Sequence, residues 1–135
     1  MAFLFEFASA NRILRLRFEG TVTDEELTTA YRLLAVHTER TPPRAGVADF
    51  SEVADFQVTT ETLRRLAYSP PALANRDVPR FIVAPSQVIF GLARLFESHG
   101  APTRPNFCIV RAPEDVWLAL SIPEPRFEPV PPLPD

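Results

Sequence analysis

Phe18-Glu19-Gly20-Thr21-Val22-Thr23-Asp24-Glu25-Glu26-Leu27 is the stretch whose reading decides the fold, because one kind of element ends in it and another begins. Thr23 and Glu26 stand three apart at the head of an apolar run. That is the spacing of a capping box, in which the threonine hydroxyl accepts from the third helical N–H and the glutamate reaches back. A helix is expected from Asp24, with Leu27, Ala30, Tyr31, Leu34, Ala35 and Thr38 at helical spacing, and Thr41-Pro42-Pro43 stops it because proline cannot continue a helix.

Toward the N-terminus the period changes from helical to two. Phe3, Phe5 and Phe7 alternate with Leu4, Glu6 and Ala8, and Leu14, Leu16 and Phe18 alternate with Arg15 and Arg17. Two such runs around Ser9-Ala10-Asn11-Arg12 spell a β-hairpin with one face on the core, closed at Gly20.

Toward the C-terminus, Gly46-Val47-Ala48-Asp49-Phe50 has the length of a buried strand, and a loop with Ser51, Glu52 and Asp55 is expected after it. Thr59 or Thr60 can cap a second helix carrying Leu63, Leu66 and Ala67, which ends before Ser69-Pro70-Pro71. Residues 72–77 follow no clear pattern. Arg80-Phe81-Ile82-Val83-Ala84 is the next strand, and Pro85-Ser86 leads to a helix with Ile89, Leu92, Ala93 and Phe96 on one face and Gly100 as its C-terminal cap. Phe107-Cys108-Ile109-Val110 is the last strand, and Pro113 with Glu114 and Asp115 opens the last helix, through Trp117, Leu118 and Leu120.

The expected order is thus β-β-α-β-α-β-α-β-α, an α/β fold with a mixed five-stranded sheet and right-handed crossovers. Residues 1–122 form a single domain in this reading. Nearly every second residue of 123–135 is proline, so this tail is expected to be extended or disordered, with neither helix nor ladder, outside the fold.

Composition narrows the function. Hydrophobic residues make up 46% of the chain and eleven are Phe, which is a globular rather than a disordered composition. A net charge of −3 argues against nucleic acid as a partner. All fourteen basic residues are Arg, so Schiff-base and P-loop lysine chemistry is excluded. One cysteine, Cys108, rules out an intrachain disulfide, and with only His37 and His99 beside it no cysteine/histidine zinc cluster can form; no metal and no cofactor are expected. This composition suits a cytoplasmic location. Met1 to Phe7 lacks the basic start of a signal peptide, and no run approaches the ~20 apolar residues of a membrane span.

The order of elements resembles the SpoIIAA-like fold of the STAS domains and of STAS/SEC14-like bacterial proteins of mostly unassigned function. The local sequence is more similar to the second group. Phe18 to Leu27 resembles its hairpin-to-helix junction, Phe90-Gly91-Leu92-Ala93-Arg94-Leu95-Phe96-Glu97 its third helix, and Val110-Arg111-Ala112-Pro113-Glu114-Asp115-Val116-Trp117-Leu118 its last strand and helix. The resemblance implies that a phosphorylation switch, where there is one, lies at the start of the second helix as an Asp-Ser pair. Here those positions hold Gln57-Val58, which puts the switch in doubt; Thr59 and Thr60 nearby are the candidate phosphoacceptors, with plain helix capping as the simpler role.

Open α/β sheets gather ligands outside the carboxyl ends of their parallel strands, which brings Asp49-Ser51, Ala84-Ser86 and Arg111-Pro113 to one rim. Asp49, Ser51, Ser86, Gly91 and Arg94 are the candidate binding residues. A helical glycine such as Gly91 implies a close neighbour, either the sheet or a partner. Cys108 is expected buried and inert, His37 solvated, His99 in a helix's last turn, and Trp117 in the core or over the sheet edge. No base and nucleophile pair is visible, and Asp49, Glu52 and Asp55 fit a solvated loop better than acid–base catalysis, so no catalytic residue is assigned. The expected function is a non-enzymatic, STAS-like regulatory module with a protein partner; the hairpin's edge strand either pairs with a second copy of the chain, giving a homodimer, or is covered by the proline tail. A carrier or sensor of a small apolar ligand is the alternative, from the eleven Phe and the SEC14-like resemblance.

Overall fold

The computed structural model describes residues 2–131. Strands β1 (Phe3–Ala8) and β2 (Ile13–Thr23) form the hairpin, and α1 (Asp24–Arg40), β3 (Ala45–Gln57), α2 (Thr60–Tyr68), β4 (Arg80–Val83), α3 (Gln87–Gly100), β5 (Phe107–Val110) and α4 (Pro113–Leu120) follow, with β6 (Glu128–Pro129) last. The sheet order is β5-β4-β3-β2-β1-β6. β2 to β5 run parallel to one another, and β1 lies antiparallel to both its neighbours.

The capping residues act as their positions require. Thr23, Thr59 and Ser86 stand in extended backbone and their hydroxyls accept from the N–H groups of Glu26, Thr62 and Ile89. Glu26 departs from the reciprocal box: its carboxylate accepts from the Thr23 hydroxyl and from the Ala2 N–H, so it ties the chain's first residues to the helix start.

Side chains alternate across β2 and divide the core in two. Leu14, Leu16 and Phe18 face the layer of α1, α2 and α3, where the rings of Phe18 and Phe50 stack at 4.6 Å. Ile13, Val47, Phe81 and Val83 face the other way, onto Val116 and Trp117 of α4. Each such buried side chain contributes about 1.5–3 kcal/mol.

Four features differ from the sequence reading. Gly20 does not close the hairpin but lies inside β2 at φ +70°, a backbone that favours glycine, at one of two irregularities in the β2–β3 pairing. β3 runs on through the expected loop to Gln57, because β2 continues as Thr21-Val22-Thr23 and supplies it with a ladder partner. Gly100 is not a left-handed cap: its φ is −96°, and the chain passes into a short 3-10 turn (Ala101–Thr103).

The fourth concerns the tail. Glu128 and Pro129 pair with Phe7 and Glu6, the Val130 N–H donates to the Phe5 carbonyl, and the sheet therefore has six strands rather than five. Proline at a sheet edge needs no ladder N–H, and Phe127 anchors the segment 5.7 Å from the Trp117 ring with the Arg15 guanidinium 3.9 Å over its own. The remainder of the expected tail, 132–135, lies outside the described residues.

Candidate functional site

Between the sheet and the three helices the packing leaves an apolar cavity of about 150 Å³. Leu14, Leu16, Phe18, Phe50 and Ile82 line it from the sheet, and Leu27, Leu34, Leu63, Leu66, Leu92 and Phe96 from the helices. Gly46 and Ala48 of β3 add small residues to its lining.

Almost all of the surface that faces the cavity is apolar, and Arg80, Arg104 and Thr38 lie at one end of it. Gly46, Arg80 and Phe107 lie side by side across β3, β4 and β5, at the amino ends of the parallel strands. Arg80 alternates with Phe81 and so shares the helix-covered face with Ile82. Its guanidinium donates to the carbonyls of Leu73, Asn75 and Val78, which organises the patternless segment before β4. Burial, reinforced by the charge of Arg104, lowers the pKa of Arg80. Arg104, just beyond α3, donates to Leu66, Ala67 and Ser69 carbonyls at the C-terminus of α2 and to the Tyr31 hydroxyl. Thr38 completes this end, its hydroxyl donating to the Ala72 carbonyl at 2.7 Å.

The sequence pointed to the opposite rim. Asp49, Val83 and Val110 are paired across β3, β4 and β5, so Ser51, Ser86 and Arg111 do converge at the carboxyl ends. Asp49 is buried on the α4 side, and its Oδ1 accepts from the N–H and the hydroxyl of Ser51 where β3 bulges. Both border a second, polar cleft of about 320 Å³ with Arg15, Arg17, Glu114, Trp117 and Phe127. Ser86 is spent on capping α3. Gly91 is exposed with nothing within reach of an added Cβ, so the close approach expected there does not exist. Arg94 is exposed and pairs with Glu97 at 3.4 Å. None of the five borders the apolar cavity.

Thr59 donates its N–H and hydroxyl to the two carboxylate oxygens of Asp24, at 2.7 and 2.9 Å. The first of these bonds is the main reason that the Asp24 carboxyl is held below its ordinary pKa of 3.8. A phosphate on Thr59 would face that carboxylate. Thr60, the first residue of α2, is exposed.

Two residues are placed otherwise than expected. His37 is not solvated but 7% exposed, its ring 4.3 Å from that of Phe5. It stands seven residues, two helical turns, after the buried Ala30, a signal that the sequence carried. Cys108 is exposed rather than buried, on the edge strand β5 of the sheet. His99 accepts or donates at 2.9 Å with the Tyr68 hydroxyl, and Trp117, on the buried face of α4, is in the core. Among the described residues no group of three or more His, Cys, Asp or Glu is placed to hold a metal, and no helix is long and apolar enough to cross a membrane.

The missed residues, Arg80 and Arg104, left unequal traces. Arg80 opens an alternating run whose inward phase it shares with Ile82. Arg104 sits between Thr103 and Pro105 in a connection with no period, and only tertiary structure buries it.

No family model matches this sequence, and no curated protein does. Among solved structures the chain is similar to an uncharacterized protein of the DUF3478 family with a SpoIIAA-like fold from Shewanella loihica PV-4. The TM-score is 0.54 at 15% identity, over 88% of this chain and 92% of that one. The chain has a SpoIIAA-like fold.

Proposed function

We propose that this protein is a non-enzymatic binding module that takes a small apolar ligand into the cavity between its sheet and α1, α2 and α3. The supporting observation is the cavity itself: about 150 Å³, partly open to solvent and walled by leucine and phenylalanine from seven elements. Interiors rarely leave such a volume, and a guest that fills it recovers the dispersion contacts its walls lack. An engineered cavity of about this size takes up benzene or xenon, so the guest is a compact molecule and not a long-chain lipid. A protein-interaction role has less support, since the large exposed apolar residues Tyr68, Val88 and Leu118 lie on three different helices and form no common patch.

Native mass spectrometry of gently purified protein is the test. Retained mass lost on collisional heating supports the proposal; a clean mass of the bare chain, unchanged after incubation with hexanol, contradicts it.

A further inference from the structure

Arg80 and Arg104 lie at one end of the cavity, and neither of their positive charges has a counterion among the described residues. They are 8% and 6% exposed. Arginine is almost never buried so far without a carboxylate opposite it. The ion pairs among the described residues join Arg15 and Arg17 to Glu6 and Arg94 to Glu97, and include neither. Backbone carbonyls surround both guanidiniums and offset the cost in part, as dipoles do, but they carry no charge. The two cations are close enough that Arg104 makes Arg80 harder to protonate.

Donors are also left over. The five hydrogen bonds of Arg104 all leave from its terminal nitrogens, which leaves its Nε–H free, and Arg80 Nη1 makes one bond of the two it can make. Gly100 marks how closely this corner is built: a Cβ there would stand 2.8 Å from Arg104 Nη1.

Resting on the cavity reading above, we infer that the ligand is a small amphiphile with a carboxylate head. Its apolar body lies among Leu16, Phe50, Leu66 and Phe96, and its head meets the Arg80–Arg104 end. A carboxylate there supplies the missing negative charge and accepts the spare N–H groups, and charge-assisted bonds of this kind are about twice as strong as neutral ones. A neutral guest fills the same volume but leaves both cations as they are. An amine adds a third like charge and is rejected.

The test is an NMR titration of the intact protein near neutral pH with hexanoate, hexanol and hexylamine, which share one apolar body and differ in the head. The Leu16 and Leu66 methyl signals report entry, and the Arg104 Nε–H signal reports the head. Expected is entry of hexanoate and hexanol, hexanoate binding at least about tenfold more tightly, with the Arg104 signal moving for hexanoate alone. Hexanol binding as well as hexanoate, with Arg104 unmoved, overturns the carboxylate head and leaves the apolar site standing. Failure of all three to move the methyls overturns both. Arg104→Gln is expected to erase the preference for hexanoate; because this variant loses structural bonds, the titration of the unaltered protein decides if it does not fold.

Discussion

Arg104 Nη2 donates to the Tyr31 hydroxyl at 2.6 Å, and that hydroxyl donates onward to the Pro70 carbonyl at 2.7 Å. Residues 73 positions apart are thus joined in a relay that holds α1, the end of α2 and the exit of α3 around one corner of the cavity. Removing one end of a polar relay leaves the other end to find a new partner, at a cost that grows with its burial. Tyr31→Phe is expected to lower stability by about 1 kcal/mol and Arg104→Met by about 2–4 kcal/mol, since the latter leaves several buried carbonyls without donors. Urea unfolding midpoints measure both, and equal, negligible losses would refute the bracing role.

His37 gives the protein a pH dependence. Burial against Phe5, with Arg40 adding to it, lowers its pKa from the ordinary 6.5. The unfolded chain therefore takes up the proton first as the pH falls through 6.5. Stability from this residue is complete above that value, declines below it, and levels off once the folded imidazole also titrates. His37→Leu is expected to flatten the change in unfolding midpoint between about pH 7.5 and about pH 5.5. An unchanged slope in that variant would assign the dependence to other groups.

The hairpin, the helix starts and the order of elements were legible because each rests on local chemistry: Thr23, Thr59 and Ser86 cap helices whatever else the chain does. What was not legible is tertiary. Whether Cys108 is covered depends on what packs at the β5 edge, and Asp49, Ser51 and Ser86 lie at the carboxyl rim of the strands whereas Arg80 lies at the amino ends. Arg104 shows no periodicity at all, so its burial emerges only when α2 and α3 pack. The tail misled through its prolines, whose missing N–H matters little at a sheet edge, while Ile122, Phe127 and Val130 were the residues that fixed it.

Phe127 is expected to decide whether the tail stays docked. It packs on Trp117 and under Arg15, and holds β6 against β1 where only two residues pair. Phe127→Ala should cost about 1–2 kcal/mol from lost apolar burial. Amide exchange at Val130 should rise well before that of the central strands. Exchange at Val130 as slow as before would mean that the prolines alone set the path of the tail.

Cys108 is predicted to react with a thiol reagent in the native protein, to one equivalent and without a lag, because it is exposed on the edge strand. Labelling that waits for denaturant would show that the β5 edge is covered, a second copy of the chain being the first candidate.

The account depends on an apolar chamber open to a guest beneath α1, α2 and α3. Diffraction from crystals held under xenon pressure tests this most directly, since xenon enters apolar space and avoids polar clefts. The prediction is a xenon atom among Leu16, Phe50, Leu66 and Phe96 and none beside Asp49 and Glu114. A chamber without xenon, its leucines and phenylalanines closed upon one another, would contradict it.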